Sequence, residues 1–177
     1  MNKAELRKEY FKVRKKITNT KEFDLKIVEN IKSIINEYKT IGIYFSINSE
    51  PNIMGLLNDK QKFYVPYCFK KERKMEYREL LSPSFLNYII KDEAGINSVK
   101  GEKNDDLDVI IAPSILTNPK GYRLGYGGGY YDIFLKDKKC LKIIVTYDEL
   151  VKEINFEEEH DIKYDFIITE KNIIKCK

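Results

Sequence analysis

Apolar residues recur at Leu6, Tyr10, Val13 and Ile17, three or four positions apart, which predicts a helix with Lys3, Arg7 and Arg14 displaced from its buried stripe. After the polar break Thr18-Asn19-Thr20 the spacing returns at Leu25, Val28, Ile31, Ile35 and Tyr38, predicting a second helix of about five turns. Ile41-Gly42-Ile43-Tyr44-Phe45-Ser46 is a short apolar run, the pattern of a strand buried on both faces. Asn48 to Pro51 carry turn and cap chemistry, and Pro51 suits the first turn of a helix running toward Leu57. Residues 62–66 and 75–80 alternate as strands around a basic loop at 69–74, and 108–113, 141–146 and 166–169 read as further strands. Helical patterns follow Gly129 and surround Leu150. The stretch 82–106 is the least regular: Phe85, Leu86, Ile89 and Ile90 suit a helix, and 95–106 a loop. Strands alternating with helices predict an α/β fold, a single domain over 1–177 with a largely parallel central sheet and helices on both faces.

Composition narrows the class. At 177 residues the chain is long enough for one well-buried core. Its hydrophobic residues fall in short clusters, none approaching the roughly 18 unbroken apolar positions of a membrane span. The opening MNKAELRKEYFKVRKK is charged throughout and lacks the apolar stretch of a secretory signal. Cys68, Cys140 and Cys176 show no CxxC pair and no neighbouring histidine, which fits reduced, structural thiols in a cytoplasmic protein. The 32 basic residues are interleaved with 28 acidic ones, unlike the basic stripe of a nucleic-acid surface, and a net charge of +4 leaves room for an anionic small molecule. A monomer is expected.

The densest chemistry lies in Gly121-Tyr122-Arg123-Leu124-Gly125-Tyr126-Gly127-Gly128-Gly129-Tyr130-Tyr131-Asp132, between a predicted strand and a predicted helix. Glycines let backbone N–H groups approach an anion closely, and a helix start adds its positive dipole end. The segment contains no GxxxxGK[ST] and no proper dinucleotide fingerprint, so its glycines alone fit a flexible turn as well as a phosphate cradle. Arg123 can neutralise phosphate oxygens, and Asp132 offers the hard oxygen that Mg²⁺ prefers or, equally, a partner for the helix dipole. Tyr131 suits either the core or a ligand-facing position.

The run RLGYGGGYYD, preceded by DVIIAPSILTNPKG, resembles the signature of the 5-formyltetrahydrofolate cyclo-ligases, also called methenyltetrahydrofolate synthetases. Lys3-Ala4-Glu5-Leu6-Arg7, Tyr44-Phe45-Ser46 followed by Glu50, Val65-Pro66, Met75-Glu76-Tyr77 and His160-Asp161-Ile162-Lys163-Tyr164-Asp165 fall in the family's order, so the resemblance covers the whole chain. It implies an enzyme that uses ATP to phosphorylate the formyl oxygen of 5-formyltetrahydrofolate, after which N10 closes the methenyl ring. It further implies nucleotide contacts at Lys3, Ala4, Glu5, Leu6 and Arg7, and at Arg123, Leu124, Gly125, Tyr126, Gly127, Gly128, Gly129, Tyr130 and Tyr131. Arg123 and Tyr131 are the catalytic candidates. Folate, with or without a polyglutamate tail, is expected against Phe45, Glu50, Tyr126, Gly127, Gly128, Gly129 and Tyr130, and Mg²⁺ at Asp132 and Asp161. From the residues alone, Lys3 and Arg7 fit a solvated helix face, Glu50 a helix cap, and Asp161 part of the acidic run after Glu157. The sequence departs from the family at Asn97-Ser98, where a Glu-Pro is common, and at Tyr67, where a basic residue is common; a cation for the substrate tail then falls to Lys70 or Lys71. Other α/β enzymes, such as sugar-phosphate isomerases and coenzyme A transferases, or a non-catalytic nucleotide- or folate-binding protein, are the competing readings.

Overall fold

A computed structural model describes residues 1–81 and 85–177; residues 82–84, part of the irregular stretch noted above, lie outside the described residues. Two helices, α1 (Lys3–Lys16) and α2 (Thr20–Ile35), precede β1 (Thr40–Gly42). A hairpin of β2 (Lys62–Phe69) and β3 (Lys74–Glu79) follows, then the short antiparallel pair β4 (Ile89–Lys91) and β5 (Asn97–Val99). The strand β6 (Val109–Pro113) leads into the small hairpin β7 (Leu116–Asn118) and β8 (Tyr122–Leu124). The chain ends with α3 (Tyr130–Leu135), β9 (Leu141–Val145), β10 (Phe166–Ile168) and β11 (Ile173–Lys175).

Seven strands form the main sheet in the order β11-β10-β9-β6-β1-β2-β3. Its five inner strands are parallel, and the two outermost, β3 and β11, are antiparallel to their neighbours. Side chains alternate across the sheet. Ile41, Phe63, Val65, Val109, Ile111, Ile143 and Val145 pack on the face covered by Ile27, Val28, Ile31 and Ile35 of α2. Tyr64, Ile110, Ala112, Ile144 and Ile167 pack on the other face beneath Leu135 of α3.

An aspartate immediately before each of two apolar strands sets their register. Asp108 Oδ2 accepts the N–H groups of Lys39 and Thr40 at 2.8 and 2.9 Å, while its own N–H donates to the Thr40 carbonyl at 3.1 Å, locking the start of β6 to the start of β1. Asp165 repeats the device between β10 and β9, accepting from the Lys142 N–H at 2.8 Å and donating to the Lys142 carbonyl at 2.9 Å.

Several expectations need correction: the helical pattern around Leu150 yields only a 3-10 turn at Asp148–Leu150, and the strand read over 41–46 stops at Gly42. Leu25 is 72% exposed, and Ile27 takes the buried place, because at about 100° per residue Ile27 lies nearer the centre of the stripe formed by Val28, Ile31 and Ile35. Asp24, on the same stripe, reaches the Tyr147 hydroxyl at 2.8 Å. Pro51 does not open an α-helix: only a 3-10 turn at Met54–Leu56 forms, started by Asn52 Oδ1 accepting the Met54 N–H at 3.0 Å. Residues 85–106 contain a 3-10 turn and the pair β4 and β5 in place of a helix and loop.

The two Asp108 hydrogen bonds hold its carboxyl below its usual range, the Thr40 N–H contributing most and desolvation opposing. A lowered folded-state pKa stabilises the fold above the unfolded carboxyl value and loses that contribution as pH falls. Asp108→Ala should therefore cost about 1 kcal/mol at pH 7, discounted for solvent exposure, and the gap in denaturant midpoint between variant and parent should narrow as pH falls below the unfolded carboxyl value. A gap independent of pH would assign the loss to the backbone.

Candidate active site

From β1 the chain proceeds to β2 and β3 on one side, and it returns through β6 on the other. Connections leaving the carboxyl ends of β1 and β6 therefore run in opposite directions and open a crevice between them, the usual ligand position in an open α/β sheet. The connection after β1 carries Phe45, Asn48, Ser49 and Glu50. The one after β6 carries Ser114 and, beyond the β7–β8 hairpin, the glycine loop at 125–129.

In that loop only Gly127 and Gly129 adopt left-handed backbone, with φ of 101° and 71°, and they turn the chain into α3. Because α3 has six residues, its dipole is short, and the positive charge at the loop comes chiefly from side chains. Arg7 Nε donates to the Gly125 carbonyl at 2.8 Å, and its guanidinium carbon would lie 3.4 Å from a Cβ added at Gly127. Arg123 Nε donates to the Pro113 carbonyl at 2.8 Å, and its guanidinium lies over the Tyr131 ring, 4.7 Å from the centroid. Burial works against the Arg123 charge, but the neighbouring Tyr164 and Tyr131 hydroxyls and the Asp132 carboxylate outweigh it, holding the group above its ordinary value. Burial likewise raises the Tyr131 hydroxyl, with Arg123 opposing. From the β2–β3 hairpin Arg73, at φ 49°, reaches the Gly128 carbonyl at 3.4 Å. Lys70 and Lys71, the residues expected to offer a cation to a substrate tail, lie in the same hairpin connection.

Opposite the loop, Glu50 is 7% exposed and accepts the Ile47 N–H at 3.0 Å. Burial raises its pKa, opposed by that hydrogen bond, by the Arg14 charge, by the Tyr126 hydroxyl and by Arg123. Phe45 is partly buried against the α2-side core. Arg14, which the helical stripe alone placed off the core, is fully buried and hydrogen-bonded to Ser114, Asn48 and Tyr126. A signal for it was present: at about 100° per residue Lys3, Arg7 and Arg14 fall within about 40° of one another, so one flank of α1 faces the crevice.

At the other end of that flank Lys3 Nζ lies 2.7 Å from Asp161 Oδ2 and 3.0 Å from Glu158 Oε2. Asp132 Oδ1 accepts the Ile162 N–H at 3.3 Å, which brings the two expected metal ligands to the same loop. Donor atoms of Glu158, His160 and Asp161 lie within 4.8 Å of one another, a group that does not include Asp132. Carboxylate oxygens are the hard ligands that Mg²⁺ prefers, and a cation held by Glu158 and Asp161 would displace the Lys3 ammonium that now pairs with both. Of the other expected contacts, Leu6 and Leu124 are buried together in a core cluster, Ala4 is exposed, and Glu5 is engaged in the Asn2 capping box. Tyr130 packs against the α3-side core and beside Gly128. Tyr126 is 46% exposed, its ring centroid 6.4 Å from that of Phe11 in an edge-on arrangement.

Elsewhere, a cavity of about 480 Å³ lies at the amino ends of β6, β9 and β10, lined by Asp105, Asp106, Asp108, Lys138, Lys139 and Asp165 among others. Asp108 and Asp165 are already spent on strand register there, so the crevice carries the better-organised chemistry. The cysteines are poor nucleophiles: burial pushes Cys68 up to about 12 and Cys176 up to about 11, and raises Cys140. Cys68 therefore stays almost wholly protonated at pH 8, so a thiol-specific reagent should label native protein slowly and denatured protein at three sites rapidly. Rapid native labelling of Cys68 would contradict its core position.

A 5-formyltetrahydrofolate cyclo-ligase named as mitochondrial, from Arabidopsis thaliana, is 32% identical over 113 residues, covering 58% of this chain and 39% of that protein. A methenyltetrahydrofolate synthase domain-containing protein from Danio rerio is 35% identical over 83 residues, covering 40% of this chain. The matched segment spans only 22% of that relative, so both are considerably longer than the shared region. The solved structure of Aquifex aeolicus 5,10-methenyltetrahydrofolate synthetase superimposes with a TM-score of 0.84 at 29% identity, over 100% of this chain and 94% of that one. No helix among the described residues is long and apolar enough to cross a membrane. With the family model matching residues 1–170, end to end across the crevice, the chain belongs to the 5-formyltetrahydrofolate cyclo-ligase family.

Proposed function

We propose that this protein cyclises 5-formyltetrahydrofolate to 5,10-methenyltetrahydrofolate, consuming ATP and releasing ADP and phosphate. The observation that carries the reading is the meeting, at one switch-point crevice, of Arg7 and Arg123 on the glycine loop with buried Glu50 on the facing wall. The formyl group is amide-like, a weak electrophile whose oxygen leaves poorly. Transfer of the γ-phosphoryl group to that oxygen corrects both faults. N10 then attacks the formyl carbon and loses its proton, and the C–O bond breaks as phosphate departs with the oxygen.

The residues act by position and charge. Arg7 and Arg123 hold phosphate oxygens and stabilise charge during transfer, and the partial burial of Arg123 strengthens that interaction. Tyr131 braces the Arg123 guanidinium from its ring face. Glu50 accepts hydrogen bonds from the pterin amino and ring N–H groups, with Phe45 and Tyr126 along the ring. Asp132 and Asp161, with Glu158 beside Asp161, would hold Mg²⁺, which supplies neutralisation of phosphate charge when bound. Arg73 stands at the loop's outer edge, where an anionic folate tail would pass.

Mixing the protein with 5-formyltetrahydrofolate, ATP and Mg²⁺ should produce the absorbance of methenyltetrahydrofolate, with nothing formed when ATP or Mg²⁺ is omitted. Turnover without ATP, or none with folded protein, would refute the assignment. Asp132→Ala should lower kcat by about 100-fold or more with an unchanged melting temperature. Arg123→Lys keeps the charge and loses the planar fork, so the KM for ATP should rise more than the KM for folate. Equal increases would make Arg123 a structural residue.

A further inference from the structure

Arg14 is the most deeply buried charged side chain among the described residues, at 0% exposure. Its hydrogen bonds go to three separate segments of the crevice. Nη1 donates to the Ser114 carbonyl just after β6 at 3.0 Å. Nη2 donates to the Asn48 carbonyl after β1 at 2.9 Å and to the Tyr126 hydroxyl of the glycine loop. The guanidinium carbon also lies 5.5 Å from the Phe11 ring centroid and 5.7 Å from that of Tyr126.

An apolar side chain at this depth would fill the space without the desolvation cost of a cation, and often more stably. What it would not do is tie these segments together. Asn48 and Ser49 both take left-handed backbone, at φ 50° and 67°, although neither is glycine, and such a turn persists only where its surroundings hold it. Arg14 grips that turn by the Asn48 carbonyl, two residues before Glu50. The same nitrogen grips Tyr126.

We propose that Arg14 is the positioning residue of the folate side: it holds the Asn48-Ser49-Glu50 turn and Tyr126 at a fixed separation, so that both meet one substrate ring. Its charge also opposes the effect of burial on the Glu50 carboxylate, keeping an acceptor available for the ring's N–H donors. Because Arg14 lies about two turns beyond Arg7 on the same flank of α1, the helix serves phosphate at one end and folate at the other.

The inference rests on the reading of Glu50 and Tyr126 as folate contacts, and both are tested by titrating the full chain with 5-formyltetrahydrofolate in the absence of nucleotide, alongside a separate Mg-ATP titration. Arg14→Met should weaken folate binding by about ten-fold or more, leave Mg-ATP binding within about two-fold, and Arg14→Lys should restore part of the loss. Tyr126→Phe should weaken folate binding less, and adding it to Arg14→Met should produce no further loss, since the two act through one contact. Should Arg14→Met not fold, Arg14→Lys takes its place in the same cycle with Tyr126→Phe. Additive losses, equal losses of folate and nucleotide affinity, or unchanged folate binding would overturn the positioning role. Unchanged folate binding in Glu50→Gln would instead sink the folate-side reading itself, so the two failures are distinguishable.

Discussion

The parallel pairing of β1 with β6 joins two halves of the chain that then run apart, one toward β3 and the other toward β11. Parallel strands carry their connections to the same end, and neighbours whose connections depart in opposite directions leave that end uncovered. Asp108 sets the alignment by binding both strand starts. A slip of one residue would move every side chain of β6 to the other face, exchanging Val109 and Ile111 for Ile110 and Ala112 beneath α2. The crevice, its carboxylate wall and its glycine-loop wall all follow from that one register.

Charge in the crevice is arranged so that buried groups answer one another. Glu50 is expensive to ionise where it lies, and Arg14, Arg123 and an N–H from its own turn oppose that cost. Arg123 is held charged by two tyrosine hydroxyls and Asp132. In surroundings of low polarity such fields act strongly over short distances, which suits a reaction whose difficulty is the movement of phosphate charge. One helix supplies three of the cations. Since α1 packs Leu6 and Tyr10 into the small cluster with Leu124, its flank is fixed relative to the loop that it serves.

Much of the fold was legible because apolar strands and helices declare themselves by period. The runs at 108–113, 141–146 and 166–169 became β6, β9 and β10, and both N-terminal helices formed where expected. The three-residue strands β4, β5, β7 and β8 are too short to show alternation, and their pairing depends on partners the sequence does not announce. Leu25 and Ile27 differ by two positions at the edge of one stripe, and packing against the sheet decided between them. Arg14 reads as a surface residue by type, and only its enclosure by Ser114, Asn48 and Tyr126 makes it internal.

The sequence by itself determined the layered α/β class, the family, and the chemistry of the segment from Arg123 to Asp132, because these depend on residue type and local spacing. Tertiary structure alone decided which residues share the crevice. Arg7 meets Gly125 across 118 positions, Lys3 meets Asp161 across 158, and Arg73 arrives from a hairpin at the sheet's edge. Contacts of that separation are set by strand order and register, which arise from the packing of the whole chain and leave no periodic trace along it.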